Sequence, residues 1–289
     1  MKQIQTINFA TANPSATSNY SLPLYQGCNY NSTYNCWEIN SVNGYFKFNL
    51  SLNSKRGVNF IFQLCSSIVN GKSDCPITIT ANGQTLVSNW DPHNSSFYNM
   101  SWYAPASILK SGDNEIIVKL VGGNTKVFLK EATVAMFEMQ HQQQTQWCWS
   151  AVSTSTSIYY NSASVWTQCT LVNNALNQTT CCANGSTNAC NQSWYLDRAL
   201  TITGNYVSMA YSSEPITTIQ SENNNQKPLG ARIGWSGGGG HFVMLAGVGK
   251  GNMIEVEDPW YGPSYISYDT FKNNYQGSGS WTHSYFTKS

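Results

Sequence analysis

The chain has 289 residues, a formal net charge of +1 and only 10% charged residues, against about 25% in an ordinary soluble domain. This balance supplies no electrostatic footprint for nucleic acid and no basic run for an anionic membrane surface, and no stretch approaches the ~18 apolar residues of a membrane span. The length favours two domains over one, and 41% hydrophobic content is enough for a core in each.

Asn, Ser, Thr, Gln, Gly and Tyr take the place of charge, a composition suited to sugars or an extracellular medium. The opening run Met1-Lys2-Gln3-Ile4-Gln5-Thr6-Ile7-Asn8-Phe9 has no continuous apolar segment and is not a secretory signal as written. Residues 1–132 read as β-structure. Residues 3–9 and 45–52 alternate polar and apolar, and 58–64 and 77–81 follow. Asn82-Gly83 between two β-prone runs predicts a two-residue hairpin. Residues 97–103, 115–121 and 126–139 bring the total to about nine short strands without helices, the spacing of an antiparallel sandwich or jelly roll. Leu109, Gly112, Asn114 and Ile116 sit in a Leu-x-x-Gly-x-Asn-x-Ile run that looks like a segment common in galactose-binding-like jelly rolls. That resemblance implies architecture rather than sugar binding.

Eight of the nine cysteines form two groups of four on either side of Cys148. The close pairs Cys28/Cys36 and Cys65/Cys75 predict local disulfides, and Cys169, Cys181, Cys182 and Cys190 predict two more of open connectivity. A zinc site on the second group is disfavoured, because zinc knuckles use Cys-x₂₋₄-Cys pairs. No metal or other cofactor is expected. Paired thiols imply an oxidising, extracytoplasmic setting, and Cys148 is left as the odd, reactive thiol.

From about residue 133 the texture changes to helices followed by strands, an α+β order. A helix is predicted over 149–160, with Trp149, Val152, Thr156 and Tyr159 on one face. A loop rich in Cys, Asn and Gly spans 168–191, and further helices 194–202 and 215–222. Strands follow at 229–235, 242–248 and 254–257, then an Asp258-Pro259-Trp260 turn. The expected domains are therefore a β-sandwich accessory domain, 1–132, and an α+β domain, 133–289.

The second domain carries the chemistry. Glutamines 142, 143, 144 and 146 precede Cys148, which opens the predicted helix. A helix N-terminus favours a thiolate, and a glutamine amide can donate to an oxyanion. His241 follows Gly237-Gly238-Gly239-Gly240, whose permissive backbone lets the loop bring an imidazole to the mouth of a strand. Asp258 comes seventeen residues later, across a predicted hairpin that can return it to His241 and fix the ring tautomer. Trp147 and Trp149 flank the cysteine as packing residues, either of which could line a substrate subsite. Trp260 is a candidate wall of a cleft.

Residues 134–289 resemble the papain-like clan of cysteine peptidases, in particular a bacterial branch related to plant-pathogen effector proteases and bacteriocin-leader peptidases. The resemblance is carried by Gln142-x₅-Cys148, by Thr167-Gln168-Cys169 with Cys181-Cys182, by the run Gly238-Gly239-Gly240-His241-Phe242-Val243, and by Asp258-Pro259-Trp260 with an aromatic tail through Phe286. It implies Cys148 as nucleophile, His241 as general base and acid, Asp258 as the orienting third member, and Gln142 with the Cys148 N–H as oxyanion donors. Two departures from the plant enzymes stand out. Thr145 occupies the position of a bracing cysteine, and the third member is Asp rather than Asn. The expected function is an extracytoplasmic cysteine endopeptidase acting on protein or peptide, with the sandwich binding carbohydrate or docking a target. The rivals are a lectin or toxin-like binding protein with a vestigial peptidase fold, and a transglutaminase-like acyl transferase.

Overall fold

The computed structural model describes residues 4–9 and 24–289. Residues 1–3, where the amino-terminal run and the first predicted strand begin, lie outside the described residues. The chain divides into two compact units, one spanning Gln5–Ala135 and the other Met136–Ser289, with which Ile4 is grouped.

The first unit is all-β. One of its sheets is built from β1 (Ile4–Asn8), β3 (Cys28–Asn31), β4 (Cys36–Ile39), β6 (Val58–Ser66), β9 (Tyr98–Ala104) and β11 (Val127–Ala135), in the order β3-β4-β11-β6-β9 with β1 also on β11. The other is built from β2 (Leu24–Gln26), β5 (Tyr45–Leu52), β7 (Ile77–Ala81), β8 (Gln84–Trp90) and β10 (Gly112–Leu120), in the order β2-β5-β10-β7-β8. Alternation is the cause of this layering. In β5, Phe46, Phe48, Leu50 and Leu52 are buried and the residues between them are not, as a period of two requires of a sheet with one face on a core. The β7–β8 turn is the expected Asn82-Gly83, and both residues have positive φ (49° and 76°), the requirement of a type I′ hairpin. Asn114 of the Leu-x-x-Gly-x-Asn-x-Ile run is fully buried. Its amide nitrogen donates to the Lys110 and Gly112 carbonyls (both 2.9 Å), and its oxygen accepts from Lys110 N–H (2.9 Å) and Asn82 Nδ2 (2.8 Å). One side chain thus satisfies the backbone of the whole entry into β10.

The disulfides expected in this unit are absent, and strand register explains the first. Cys28 lies opposite Ile39 and Cys36 opposite Asn31 in the β3–β4 hairpin. The two cysteines are therefore at opposite ends of the ladder, three residues or roughly 10 Å apart along it, beyond the reach of a disulfide. Cys65 of β6 packs in a small cluster with Cys36, Phe128 and Phe97, and neither it nor Cys75 is bonded to another sulfur. Cys28, Cys36, Cys65 and Cys75 are all buried free thiols.

The second unit is α+β. Its helices are α1 (Cys148–Tyr160), α2 (Gln168–Leu176), α3 (Leu196–Thr203), α4 (Ile216–Asn224) and α5 (Tyr268–Asn274). Its strands are β12 (Tyr206–Ala210), β13 (Leu229–Trp235), β14 (Gly240–Gly249), β15 (Met253–Glu257), β16 (Ser264–Ser267) and β17 (Gly279–Thr287), in one antiparallel sheet of order β12-β17-β13-β14-β15-β16. Its core gathers Leu229, Ala231 and Ile233 of β13, Val243 and Leu245 of β14, Ile254 and Val256 of β15, and Phe271 and Trp281.

α1 is buried on nearly all faces from Cys148 to Ser157, wider than the single face predicted, although its sequence is rich in Ser and Thr. The hydroxyls explain this tolerance. Ser153, Thr154 and Thr156 donate to the carbonyls of Trp149, Ser150 and Val152, four residues back, at 2.8–2.9 Å, so no polar group is stranded by burial. α2 occupies part of the stretch expected to be loop. Thr167 caps it and Thr170 returns the bond, a capping box closed by Thr where Glu or Gln is usual.

Candidate active site

Cys148 is the first residue of α1. The helix enters through Trp147, whose side chain makes no cap hydrogen bond, so it leaves the first-turn N–H groups unclaimed. By position the Cys148 N–H has no partner within the helix. His241 is the second residue of β14, and Asp258 directly follows β15. The β14–β15 ladder carries the sequence back in register to Met244 opposite Glu257, which is how seventeen residues of chain close into one hydrogen bond. His241 Nε2 lies 2.8 Å from Asp258 Oδ1. Nδ1 is thereby left for Cys148, which lies close enough to raise the imidazole's pKa together with Asp258.

All three groups are buried, with Cys148 8%, His241 7% and Asp258 2% exposed. Burial pulls the imidazolium down. The hydrogen bonds and charges of Asp258 and Cys148 together outweigh it and hold His241 up at about 9. Burial likewise pushes Asp258 up, but the bond to His241, its positive charge and the backbone N–H groups of Tyr261 and Trp260 leave the carboxyl below its usual range. Both shifts favour the charged pair. Asp258 is at the same time a turn residue: Oδ1 accepts from Trp260 N–H (2.7 Å) and Tyr261 N–H (2.9 Å), so the turn and the site use the same oxygen.

Gln142 is 4% exposed. Its Nε2 donates to the carbonyls of Gln144 (2.8 Å) and Thr145 (3.0 Å), while its buried Oε1 has no partner. The amide braces the loop that leads into α1. Its backbone N–H donates to Pro259 carbonyl (2.9 Å), and the neighbouring His141 ring stacks on Trp260 at 5.8 Å, so the loop before the cysteine is tied to the turn after Asp258.

Trp147 and Trp149, candidates for substrate contact, are 1% and 0% exposed and pack inward. The Trp147 indole N–H donates to Cys190 carbonyl (2.8 Å), and the Trp149 indole N–H to Gln192 carbonyl (2.9 Å). A side chain at Gly185 would collide with the Trp147 ring, at 2.6 Å. Cys190, the partner of the Trp147 indole, closes a segment held by two disulfides, Cys169–Cys182 and Cys181–Cys190, and Gln192 follows it by two residues. All four members of the second cysteine group are thus used in covalent pairs. Trp260, 45% exposed, keeps a free face beside the site.

Three further residues organise the site without having been singled out from sequence. Gln168, 1% exposed, accepts from Gln143 N–H (2.9 Å) and donates to His141 carbonyl (2.9 Å), clamping the loop on both sides of Gln142. Trp235 stacks parallel to the His241 ring at 6.2 Å. Tyr275 donates its hydroxyl to Asp258 Oδ2 at 2.8 Å. Gln168 stood beside Cys169 in the quoted motif, and the other two carried no sequence signal beyond being aromatic. A pocket of about 730 Å³ is lined by Gln146 and Gly240, the chain neighbours of Trp147 and His241, and by Arg232, Tyr195 and Phe242 among others, with none of Cys148, His241, Asp258 or Gln142 in its wall.

The sequence pattern of the family described as papain-like cysteine protease AvrRpt2 matches residues 130–276, just over half of the chain. No curated protein matches the chain. Among solved structures, the CBM36-1 domain of a multidomain xylanase from the hindgut metagenome of Trinervitermes trinervoides is 11% identical, covering 46% of this chain and 96% of its own, with a TM-score of 0.34. CBM35 from Paenibacillus barcinonensis is 14% identical over 45% of this chain and 98% of its own, TM-score 0.33. A family 35 carbohydrate binding module from Clostridium thermocellum is 19% identical over 40% and 90%, TM-score 0.30. At such scores the fold of the first unit rests on its own strand order.

Proposed function

The chain belongs to the family of the papain-like cysteine protease AvrRpt2, and from that premise we propose that it is an extracytoplasmic endopeptidase working through Cys148, His241 and Asp258. The observation that carries this reading is the 2.8 Å bond from His241 Nε2 to Asp258 Oδ1, which orients Nδ1 toward a cysteine at a helix start. The Cys148 thiolate attacks the peptide carbonyl carbon, and the carbonyl electrons move to oxygen. The oxyanion is held by the Cys148 N–H and by Gln142, whose Nε2 must share a hydrogen now given to Thr145 or Gln144. On collapse the C–N bond breaks and His241 gives its Nδ1 proton to the departing amine. Water then attacks the thioester, His241 takes its proton, and the carboxylic acid leaves as the thiolate is restored. The pocket beside Gln146 and Gly240 takes a side chain of the substrate.

We assign residues 1–132 as an accessory domain and 133–289 as the peptidase domain. The two disulfides support a location outside the reducing cytoplasm. Among the described residues no helix is long and apolar enough to cross a membrane. The accessory domain offers Tyr25, 50% exposed and 4.3 Å from Trp37, as an aromatic surface on which a glycan ring can stack.

Labelling with a peptidyl epoxide tests the enzyme reading. Wild type is expected to label once and to digest a denatured protein, and Cys148→Ala to do neither. Digestion unchanged by the substitution overturns it. A glycan array probed with the full-length Cys148→Ala chain tests the accessory domain, and equal binding by Tyr25→Ala removes the surface named.

A further inference from the structure

The Asp258 carboxylate accepts four hydrogen bonds. Three converge on Oδ1, from His241 Nε2 and from the two backbone N–H groups of its own turn. Oδ2 accepts from one group, the Tyr275 hydroxyl, which arrives from the end of α5. We propose that Tyr275 is a positioning residue of the active site, its hydroxyl locking the rotation of the Asp258 carboxylate so that Oδ1 stays in line with His241 Nε2. This rests on the reading of Cys148, His241 and Asp258 as the hydrolytic centre.

A carboxylate turns easily about its Cβ–Cγ bond, and three donors on one oxygen leave the other free to swing unless it too is held. The support behind Tyr275 is extensive. Its N–H donates to Gly279 carbonyl and its carbonyl accepts from Gly279 N–H, both at 2.8 Å, fixing the residue between α5 and β17. Its ring packs on Phe271 at 5.3 Å and lies nearly parallel to Trp235 at 6.5 Å and 20°. The same indole lies nearly parallel to His241 at 6.2 Å and 23°. Trp235 therefore spans both ends of the chain from phenol through carboxylate to imidazole, and holds the rings in one layer. A Cβ at Gly279 would sit 2.7 Å from that indole, so the strand start opposite must be glycine for the stack to form.

Tyr275 is 1% exposed, so its hydroxyl has no solvent to turn to. Burial, and then the Asp258 charge, raise its ionisation far above the ordinary phenol range, which keeps it a donor wherever the enzyme works. The titratable groups bearing on Asp258 are His241 from β14, Tyr275 from the end of α5 and, through His241, Cys148 at the start of α1. Tyr261 from the turn meets the His241 ring edge-on at 6.2 Å.

Tyr275→Phe removes one oxygen and keeps the ring. The expected result is a kcat about 10-fold lower with KM within about twofold, the scale of one hydrogen bond to a charged group. The acid limb of Cys148 alkylation should also move to higher pH, because a carboxylate short of a donor takes up its proton sooner. In an Asp258→Ala background Tyr275→Phe should change nothing further, whereas a purely structural role costs the same in both backgrounds. 4-Aminophenylalanine at 275 fills the same space and still donates, and should restore the rate. 4-Fluorophenylalanine fills it without donating and should not, a pair that decides the matter even if Phe fails to fold. A wild-type kcat and an unmoved acid limb in Tyr275→Phe, or equal rates for the two analogues, overturn the inference alone. A wild-type chain whose Cys148 alkylates without pH dependence and which cuts no protein overturns the peptidase reading beneath it.

Discussion

The two units treat cysteine in opposite ways. In the first, Cys28, Cys36, Cys65 and Cys75 are buried and unpaired, and burial pushes the first three up to about 12, 11 and 12 and raises the fourth. They are small core residues that happen to contain sulfur. In the second, four cysteines are consumed in two disulfides, and the fifth, equally out of solvent at 8% exposed, is set against an imidazole at a helix start. Exposure alone therefore does not separate the four sandwich thiols from the proposed nucleophile. The neighbours do: in the first unit backbone carbonyls, Ser73 and the acidic Asp91 and Glu38 lie beside the thiols, and in the other an imidazole paired with a carboxylate stands beside a helix start.

Substitution is the strongest way to break this contrast. Cys148→Ala is expected to abolish hydrolysis, while Cys36→Ala and Cys65→Ala retain wild-type kcat in a peptide-cleavage assay. A loss of turnover in either sandwich variant would mean its thiols are not inert. Gln142→Ala, which removes a proposed oxyanion donor and a brace of the loop, should lower kcat by about 10²–10³-fold, measured with Cys148 alkylation in parallel to separate the oxyanion from thiol reactivity. Opening a disulfide is next. Cys181→Ser with Cys190→Ser should cost about 2–3 kcal/mol in denaturant unfolding, and activity should fall further than stability because the Trp147 indole loses a fixed partner at Cys190.

The pH dependence sharpens the same comparison. His241 is held at about 9 against an ordinary 6.5. Its contribution to stability is therefore full below about 6.5 and is lost as pH rises through about 9. Asp258 is shifted the other way, so its contribution is present above the usual carboxylate value and is lost in acid as pH falls through its depressed value. A bell-shaped activity profile with its alkaline limb near 9 is expected, and a limb near 6.5 would mean that the imidazolium is not stabilised. The smallest effect concerns the sandwich thiols themselves. In the native state a small alkylating agent should modify Cys148 alone among the five free cysteines, with the other four reacting only on unfolding.

Much of this was legible in the sequence where local pattern and final environment agree. The alternation of β5 and β7, the Asn82-Gly83 turn and the run of β13 follow from short-range rules. The hairpin between His241 and Asp258 was legible because its length permits closure. Reading failed where the deciding partner lies far along the chain. Cys28 and Cys36 look pairable at eight residues apart, yet the antiparallel register sends them to opposite ends of a hairpin. Trp147 and Trp149 flank the nucleophile in sequence, but successive positions at a helix start diverge, and both indoles find carbonyls more than forty residues on. α2 hides in a polar stretch whose cap is a Thr–Thr pair. Tyr275 was invisible because its hydroxyl finds a carboxylate seventeen residues away, a meeting set by β16 and α5.

The disulfide-closed segment that ends at Cys190, with Asn191 and Gln192 just after it, holds Trp147, Gln146 and Trp149 and places opposite redox demands on one site. As the nucleophile proposed above, Cys148 would act only when reduced, while Cys169–Cys182 and Cys181–Cys190 hold the segment only when oxidised. The proposed mechanism then predicts a bounded operating window in thiol concentration: mild reductant frees Cys148 of oxidation, and strong reductant releases the grip on the loop beside it. Activity against reductant concentration should rise and then fall, and the descending side measures the potential of the braces.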